Sequence, residues 1–422
     1  MTPSNQSPII VGGGVAGLIA AQHLEAAGRS PILLEGSDRV GGRLKTDLHE
    51  GFKLDRGFQV LLTGYKEVNR YLDLDALGTR SFRPGAHIHL RTNHFRIVDP
   101  MREPAQIIRS TLSPVGVLKD KMLLARLNMR LRRYSQQRCF KGYESMPTID
   151  YLHKFGFSEQ IIERFFRPFF GGIFLEQELQ TPAAMFRFIY KMFGQAGAAL
   201  PAEGIEGVAQ HLKAKLKQTD IRCGVRVKAV ESGRVLLDDG SDLLTDGGII
   251  LACAAAPLVQ GLKVSDAPPW KATTNLYFYS QRRLRENRLI NLVADNTSTI
   301  NTFCVLDEVQ PHYKPEGKGG SLISVTLKGY RPDDDSAIAQ AEQDLLRHSR
   351  LPNDALRFLK AYHVRLALPN LDAVSYTQLP TSTRLQDDIF LGGDQELNGS
   401  LDAAMRSGRL AALGLLGAHA DE

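Results

Sequence analysis

The sequence predicts an α/β protein in which a domain built on a parallel sheet is interleaved with a second, α+β domain of mixed sheet and helices. Three observations predict it: a β-α-β pattern at the N-terminus, buried-strand patterns much later in the chain, and two long stretches of different character between them. The chain has 422 residues, of which 43% are hydrophobic and 23% charged. It is therefore long enough for two folded units and has the composition of a globular protein.

A strand, a tight turn, a helix and a second strand are predicted at the N-terminus. Pro8 to Val11 is a short apolar run that ends in glycines. Residues 15–27 follow with small and apolar residues at helical spacing, and Gly28 closes that helix. Residues 32–35 then form a second apolar run. Two buried strands joined by a helix are parallel, so this is a β-α-β unit.

The rest of the parallel sheet is expected from later segments. Residues 224–239 alternate around valine and leucine, residues 248–252 form another apolar run, and residues 389–391 supply the final strand. Between them, residues 82–200 are rich in aromatics and arginine and look helical over much of their length. Residues 267–383 contain alternating strand patterns at 273–279 and 321–327 and an amphipathic helix at 335–348. We therefore assign residues 1–81, 201–266 and 384–422 to the first domain, and residues 82–200 and 267–383 to the second.

The turn after the first strand carries a dinucleotide-binding pattern. Residues 11–17 read V-G-G-G-V-A-G, which contains G-x-G-x-x-G. Gly12 makes the tight turn, Gly14 lets the backbone approach a pyrophosphate, and Gly17 lets the helix pack on its strand. The first helical residues, Val15 and Ala16, place the positive end of the helix dipole at the phosphates.

Glu35 ends the second strand, with Gly36 beside it. A carboxylate at this place hydrogen-bonds the diol of a ribose and repels a 2′-phosphate. The sequence therefore predicts an adenosine dinucleotide other than NADP.

Two further loops favour a flavin over a nicotinamide. In D-R-V-G-G-R at 38–43, Gly41 and Gly42 permit another close backbone approach, and Arg43 either neutralises diphosphate charge or lies beside a flavin ring. We expect Arg39 to be a surface residue. In D-R-G-F-Q at 55–59, the segment of Gly57, Phe58 and Gln59 is expected to lie against a flat ligand, with a plain turn as the alternative.

A third cofactor segment is predicted near the C-terminus. L-G-G-D at 391–394 ends a strand in glycines and a carboxylate, and a helix begins near Ser400. Asp394 is placed to accept hydrogen bonds from ribityl hydroxyls, and the helix dipole would stabilise negative charge on a reduced flavin. The residues expected to contact the cofactor here are Gly393, Asp394, Ser400, Leu401 and Ala404.

Together these motifs resemble the flavin amine oxidase and phytoene desaturase superfamily, and within it more the desaturases. The matching residues are V-G-G-G-V-A-G at 11–17, Glu35, D-R-V-G-G-R at 38–43, and G-G-D followed by L-N-G-S-L-D-A-A-M-R-S-G-R ending at Arg409. A weaker match is R-P-F-F-G-G-I-F at 167–174 with P-A-E-G-I-E-G at 201–207. The resemblance implies a Rossmann-like FAD-binding domain, with Val227 near the adenine and Ala252 near the pyrophosphate.

Departures from the superfamily limit what the resemblance implies. Some amine oxidases attach the flavin through a cysteine just before the terminal helix, and none of the four cysteines stands there, so the FAD is expected to be noncovalent. The aromatic pair that brackets an amine has no clear counterpart, which weakens amine oxidation. We assign no catalytic side chain and no metal site, because hydride transfer to a flavin needs only a pocket that holds the donor carbon against the ring.

The charge and composition of the chain limit which partners we expect. The net charge is +6 and the pI about 9.0, and the densest basic run lies between Arg126 and Lys141, interleaved with leucines at helical spacing. It is either a solvated helix face or a helix that lies on an anionic membrane. We expect no nucleic-acid partner. With no signal sequence, no bilayer-spanning run and scattered cysteines, the sequence favours a cytoplasmic protein with at most a peripheral membrane contact.

The sequence thus predicts an FAD-dependent desaturase or dehydrogenase for a hydrophobic, isoprenoid-like substrate, reoxidised by a quinone or dioxygen. An amine oxidase and a redox-neutral flavin isomerase use the same cofactor site and stay open. A non-catalytic lipid escort is a third alternative, although it would not need Glu35, Arg43 and Asp394 together. The aromatic cluster between Phe186 and Phe193 is either ordinary core or the lining of a lipophilic mouth.

Overall fold

A computed structural model describes residues 6–98, 114–254, 258–259, 270–332 and 334–417. The predicted domain boundary at residues 266 and 267 lies outside these ranges. The strands are β1 (Ile9–Val11), β2 (Ile32–Glu35), β3 (Thr46–His49), β4 (Phe52–Asp55), β5 (Leu61–Leu62), β6 (Arg80–Ser81), β7 (Gly85–His89), β8 (His94–Val98), β9 (Ala198–Leu200), β10 (Asp220–Cys223), β11 (Val227–Glu231), β12 (Arg234–Leu237), β13 (Asp242–Leu244), β14 (Ile249–Leu251), β15 (Trp270–Ser280), β16 (Ile290–Val293), β17 (Ile300–Val305), β18 (Ser321–Leu327), β19 (Leu356–Pro369), β20 (Arg384–Gln386) and β21 (Ile389–Leu391).

The helices are interspersed among these strands. They are α1 (Val15–Ala26), α2 (Lys66–Tyr71), α3 (Leu118–Arg132), α4 (Thr148–Phe155), α5 (Glu159–Ile161), α6 (Arg167–Phe174), α7 (Ala183–Gln195), α8 (Glu206–Ala214), α9 (Leu306–Val309), α10 (Asp335–Ser349) and α11 (Leu401–Leu415). A π-helical segment, Ile162–Phe166, joins α5 to α6, and short 3₁₀ turns span Gln137–Cys139, Pro311–Tyr313, Pro380–Thr383 and Asp394–Glu396.

A six-stranded sheet forms the first domain, in the order β10-β2-β1-β14-β21-β20. The pairs β10–β2, β2–β1, β1–β14 and β14–β21 are parallel, and β20 is an antiparallel edge strand. Both faces are buried: Ile10 and Leu33 contact the largest apolar cluster, and Ile9 and Leu34 contact another. This explains why these strands read as continuous apolar runs.

The predicted β-α-β unit and the strands at 248–252 and 389–391 are confirmed. The prediction for 224–239 is wrong. That segment forms the hairpin β11–β12, which pairs with β13 in a separate antiparallel sheet, and β10 takes its place beside β2. The reason is that alternation of apolar and polar residues indicates a strand with one solvated face. Such strands are typical of antiparallel sheets, whereas the strands of a central parallel sheet are buried on both faces.

The second domain is organised around a seven-stranded sheet with the order β19-β15-β18-β17-β16-β7-β8. One face packs on α10, through Phe278 and Leu345. The other face looks toward the first domain, where the Tyr277 hydroxyl donates to the Asp55 carbonyl at 2.8 Å. The strands predicted at 273–279 and 321–327 and the helix at 335–348 are confirmed.

The first insertion contributes more than helices. Its strands β7 and β8 complete the seven-stranded sheet, with β7 parallel to β16. Helices α3 to α7 then pack together through an aromatic core. Strands of both insertions therefore lie in one sheet, although His89 on β7 and Asn291 on β16 are 202 residues apart in the chain.

Candidate cofactor site

The carboxyl ends of β1, β2, β14 and β21 meet at one edge of the parallel sheet, which brings the predicted cofactor motifs together. Gly12 has a φ of +109°, and a Cβ there would lie 2.8 Å from the Ala252 carbonyl oxygen. A Cβ on Gly17 would lie 2.0 Å from the Gly12 carbonyl oxygen. Only glycine fits at these two positions, and the turn and close helix packing predicted for them are confirmed.

The N-terminus of α1 is left open to a ligand. No side chain caps it, and its first turn carries no acidic residue. In front of Gly14 the nearest atom to a built Cβ is Gly42 Cα at 4.0 Å. Gly41 approaches the same loop, since its N–H donates to Gly13 O at 2.8 Å. Val15 and Ala16 thus begin a helix whose first N–H groups face a cradle of glycine backbone, as an anion requires.

Glu35 links the glycine loop to the loop after β2. Its Oε2 accepts the Gly13 N–H at 2.8 Å, and its Oε1 accepts the N–H and the hydroxyl of Ser37 at 2.9 and 2.6 Å. Its backbone carbonyl accepts the Val225 N–H at 3.0 Å. Oε1 thus accepts two hydrogen bonds already, whereas Oε2 accepts one and keeps a lone pair for a ribose hydroxyl. Glu35 therefore has a second role that the sequence did not indicate, namely holding the glycine loop.

The residues assigned to the adenine and pyrophosphate lie at the same edge of the sheet. A Cβ on Gly36 would lie 3.9 Å from Arg226 Cα, immediately before the half-buried Val227. Ala252 follows β14, and its N–H donates to the Val11 carbonyl at 2.8 Å. We expect Val227 to lie near the adenine and Ala252 near the pyrophosphate of a bound FAD.

Arg43 and Asp394 come together from opposite ends of the chain. Arg43 Nη1 lies 3.0 Å from Asp394 Oδ2, and Nη2 pairs with Oδ1. Nη1 also donates to the Ala367 carbonyl at 3.2 Å, and the guanidinium carbon lies 5.2 Å from the centre of the Trp270 ring. Arg43 thus joins the first domain to the second. Trp270 is a member of this arrangement that no sequence motif indicated.

The prediction that Arg39 is a surface residue is wrong. Its side chain is 28% exposed and forms ion pairs with Asp38, Asp47 and Glu206 at 2.9, 3.0 and 2.9 Å. An arginine satisfied by three carboxylates fixes the loop 38–47 against α8. The sequence could not show this, because Glu206 lies 167 residues further along the chain.

The segment 57–59 follows β4 and lies beside Arg43. The Gln59 amide donates to the Arg43 carbonyl at 3.0 Å. The Phe58 ring is half-buried and packs edge-on to Phe82, with 6.3 Å between ring centres. Gly57 has a positive φ of 97°. The predicted segment is thus next to the Arg43–Asp394 pair.

The C-terminal motif is built around the start of α11. The Ser400 hydroxyl caps the helix by accepting the Ala403 N–H at 3.1 Å, and the Gly393 N–H donates to the Ser407 hydroxyl at 2.9 Å. Leu401 and Ala404 are half-buried on the first turn. The helix start predicted near Ser400 is therefore confirmed.

A model of the family described as flavin containing amine oxidoreductase matches residues 15–416. The chain belongs to this family. It is accordingly a flavin-dependent oxidoreductase with FAD as its cofactor, as the motifs predicted.

Individual relatives of the family match parts of the chain. The L-amino-acid oxidase of Bungarus fasciatus is 29% identical over 165 residues, which are 37% of this chain and 32% of the relative. Protoporphyrinogen oxidase 2 of Arabidopsis thaliana is 26% identical over 182 residues, which are 40% of this chain and 32% of the relative. The matched segments thus span about a third of each relative. An oxidoreductase from Methanosarcina mazei shares the fold, with a TM-score of 0.73 and 16% identity over 95% of this chain and 98% of that chain.

The residues at the sheet edge fit the cofactor of the flavin-containing amine oxidoreductases. A Cβ built on Gly14 would meet only Gly42 Cα, at 4.0 Å, so the glycine loops leave room in front of α1, and the uncapped start of this helix offers N–H donors for a diphosphate. Glu35 would hold the ribose of the adenosine. Asp394 would reach the ribityl chain with the lone pairs that Arg43 does not occupy. When bound, FAD would supply a two-electron acceptor.

The charged residues of the C-terminal motif form buried ion pairs within the protein. Glu67 on α2 pairs with Arg406 and Arg409 on α11, each at 3.1 Å, and Arg406 also pairs with Asp402 at 2.9 Å. All four side chains are buried. This buried network joins α2 to α11, so the charged residues of the motif hold the helix in place.

The predicted aromatic cluster is core for the most part. Phe186, Phe188 and Met192 are fully buried, whereas Phe193 is half-buried. Phe193 packs on Phe169, with ring centres 5.0 Å apart. Phe165 and Tyr190 are half-buried too, so partly accessible aromatic surface comes from the π-helical segment and α6 as well as from α7.

Two titratable groups near these elements were not predicted. Burial raises the pKa of Asp55 to about 6, against hydrogen bonds from Thr46, Tyr313 and the Ile205 N–H. Burial also lowers the pKa of Lys271, whose ammonium donates to the Thr181 hydroxyl at 2.8 Å. Asp55 begins the D-R-G-F-Q segment, in which the sequence indicates no role for it, and Lys271 lies in no motif, so only their burial in the fold indicates these pKa shifts.

Proposed function

We propose that this flavin-dependent oxidoreductase takes a hydride from a hydrophobic, isoprenoid-like substrate held across β19. The observation that supports this is the path of β19 over three cofactor segments. Val364 lies 3.9 Å from a Cβ built on Gly57, the Ala367 carbonyl accepts from Arg43, and Leu368 lies 3.3 Å from a Cβ built on Gly399. Two apolar side chains of β19, Val364 and Leu368, therefore lie beside the cofactor segments.

Apolar walls favour apolar ligands, since transfer of apolar surface from water supplies most of the affinity. Protoporphyrinogen oxidase, one of the relatives, takes its name from a large ring-shaped substrate, and L-amino-acid oxidase from a small charged one. The apolar path of β19 favours the former kind of substrate for this chain. A quinone or dioxygen would serve as the electron acceptor.

Anaerobic mixing of the holoenzyme with a panel of candidate donors tests the proposal. The panel holds a polyprenyl hydrocarbon, a porphyrinogen, putrescine and L-leucine, and bleaching of the flavin absorbance is the readout. We expect the apolar donors to bleach the flavin and the amines to leave it oxidised. Faster bleaching by putrescine or L-leucine would instead make the enzyme an amine or amino-acid oxidase. Substrate conversion without net bleaching would indicate a redox-neutral isomerase, and no response from any donor would favour a lipid escort.

A pair of leucine variants localises the substrate. Leu368→Asn places a polar group on the apolar side of β19, whereas Leu244→Asn makes the same change on β13 at a side chain that is 62% exposed. Loss of about 1–2 kcal/mol of apolar contact corresponds to a KM raised roughly 5- to 30-fold for Leu368→Asn. Leu244→Asn should leave KM unchanged. Equal effects of both variants would place the substrate elsewhere.

We further propose that the protein docks on anionic membranes through α3. Leu118, Met122 and Met129 on this helix are 66%, 61% and 55% exposed, and they repeat at helical spacing beside exposed arginines. Exposed apolar side chains flanked by cations suit an anionic lipid surface, with about 1 kcal/mol per arginine at low salt. In the described residues no helix combines the length and apolar character needed to span a bilayer.

Sedimentation with vesicles tests the membrane proposal. The wild type should sediment with vesicles that contain phosphatidylglycerol and should dissociate as salt rises. Arg126→Gln, Arg132→Gln and Arg133→Gln together should abolish sedimentation and leave FAD bound. Unchanged sedimentation of this triple variant would show that α3 is a solvated helix and does not bind the membrane.

A further inference from the structure

The cations of the first insertion gather around a cavity outside the predicted cofactor site. The cavity has a volume of about 810 Å³ and is lined by the segment 130–144, by Arg187 on α7 and by residues 375–377. Arg130, Arg138 and Lys141 line it from the basic run. The sequence left a solvated helix face and a membrane-bound helix open for this run, and in the structure these three exposed cations border the cavity.

Arg187 is buried without a full set of partners. The residue is 2% exposed, and its Nη1 has no hydrogen-bond partner among the described residues. Nη2 reaches only the Arg138 carbonyl, at 3.5 Å. The guanidinium carbon lies 4.1 Å from the ring centre of Tyr143 and 5.5 Å from that of Tyr134. A buried charged donor without an acceptor is costly unless a ligand or an ion completes it.

The tyrosines hold these cations in place. Arg138 lies 4.5 Å above the Tyr134 ring, and Arg130 Nε donates to the Tyr134 hydroxyl at 2.7 Å. Hydrogen bonding from Arg130 lowers the pKa of Tyr134. A tyrosine ring that stacks on a guanidinium group fixes the plane of that group and leaves its N–H edge available to an oxyanion.

The charge of the cavity is unbalanced. Its described lining holds four cations, Arg130, Arg138, Lys141 and Arg187, against one carboxylate, that of Glu144. Burial raises the pKa of Glu144. Hydrogen bonds from backbone N–H groups, that of Gly142 among them, and the charge of Arg187 outweigh this effect and bring the pKa below its usual value, so this carboxylate is ionised at neutral pH. A surplus of three positive charges matches a phosphate or diphosphate group better than a single carboxylate.

We propose that this cavity binds the phosphate or diphosphate group of an organic ligand, with Arg187 as its buried anchor. The volume exceeds what an inorganic anion fills and suits a ligand with an organic part. One wall adjoins the cofactor site: the Ser375 N–H donates to the Leu397 carbonyl at 2.9 Å, and the Asn398 amide donates to the Ser375 carbonyl at 2.8 Å. The site does not depend on the proposed substrate, because flavin chemistry plays no part in its geometry.

Calorimetric titration of the FAD-loaded protein with inorganic diphosphate tests the proposal, since bound FAD occupies the other diphosphate site. We expect saturable binding with one site per chain, and at least about tenfold weaker binding of acetate. Arg138→Gln with Lys141→Gln removes two exposed cations of the cavity and should weaken diphosphate binding about tenfold or more. Arg132→Gln with Arg133→Gln removes the same charge from exposed positions that do not line it and should change the affinity less than about twofold.

A second variant probes the buried anchor. Arg187→Lys keeps the charge but loses the planar fork, so diphosphate binding should fall about tenfold while thermal unfolding reports whether the variant is folded. Equal weakening by the two double variants, or acetate binding as tightly as diphosphate, would overturn the proposal. The proposal would also be overturned if the wild type bound neither diphosphate nor vesicles that contain phosphatidylglycerol.

Vesicles that contain phosphatidylglycerol distinguish the two sources of a phosphate group. For a soluble phosphate ester, diphosphate binds and the Arg138→Gln, Lys141→Gln variant still sediments with vesicles. For a lipid headgroup, the same variant loses vesicle binding and diphosphate competes with vesicles for the wild type. Both results support a phosphate site.

Discussion

At the scale of single residues, Glu35 combines a predicted ligand contact with a structural one. Its carboxylate accepts hydrogen bonds from the Gly13 N–H and from Ser37, so it shapes the glycine loop that we expect to face the phosphates. Asp55 is a contrasting case, because it lies buried between two domains and contacts Tyr313 at 2.6 Å. We expect Glu35 to control the affinity for FAD and Asp55 to control the pH dependence of stability.

Glu35→Ala should weaken FAD binding by about 1–3 kcal/mol, since it removes hydrogen bonds to the ribose and leaves the Gly13 N–H without its partner. Glu35→Gln keeps one acceptor oxygen and should fall between Ala and the wild type. Fluorescence titration of the apoprotein with FAD measures the affinities. Glu203→Ala, at an exposed glutamate, is the control. Wild-type affinity in Glu35→Ala would show that the ribose is held by other groups.

Asp55 should make the protein less stable as the pH rises from about 4 to about 6. Burial raises its pKa in the folded state from 3.8 to about 6, so in this interval the folded state holds a proton that the unfolded chain has released. The stability is therefore fully present below the unfolded pKa and is lost as pH rises through the folded one, by up to about 3 kcal/mol.

The isosteric variant Asp55→Asn isolates this contribution, because it cannot ionise. Unfolding of both proteins is followed in urea between pH 4 and 7. The free energy of unfolding of the wild type should fall relative to that of the variant across this range. A constant difference between the two proteins would show that Asp55 titrates normally.

At the scale of secondary-structure elements, the contact of α1 with α11 aligns the cofactor motifs. A Cβ on Gly408 would lie 2.1 Å from the Ala16 carbonyl oxygen, so the two helices touch through their backbones. The buried pairs of Glu67 with Arg406 and Arg409 fix α11 from its other side. The start of α11 is thereby held against the start of α1.

Gly408→Ala should push the two helices apart. Overpacking of this kind costs about 1–3 kcal/mol or more, and we expect lower thermal stability together with a lower FAD content. Gly194→Ala on α7 is a matched control, since a Cβ there meets no atom within 4 Å and alanine favours a helix. A Gly408→Ala protein with the FAD content and melting temperature of the wild type would contradict the role of this contact.

At the scale of the whole molecule, the cysteines are arranged so that none is available for a flavin bond. Cys139 and Cys304 are buried and Cys223 is exposed on the edge strand β10. Cys253 lies beside the glycine loop, 3.3 Å from a Cβ built on Gly12, and burial raises the pKa of its thiol to about 12. A protonated thiol is a poor nucleophile.

The FAD should therefore leave the protein unmodified on denaturation. Acid precipitation followed by chromatography of the supernatant should recover intact FAD, about one per chain. Flavin that stays with the precipitate, or FMN in its place, would contradict this expectation. The prediction concerns the attachment alone and is independent of the substrate.

The sequence by itself determined the β-α-β unit, the glycine turn with Glu35 and the α11 start capped by Ser400, because these features depend on residues close in the chain. It also predicted two strands and one helix of the second domain correctly from periodicity. Only the tertiary structure decided the partners across long separations: Arg43 with Asp394, which are 351 residues apart, Arg39 with Glu206, and β7 with β16. Periodicity reports which face of an element is buried, and it carries no information about what packs there. For the same reason the basic run could be seen in the sequence, whereas the cavity that it forms with Arg187 could not.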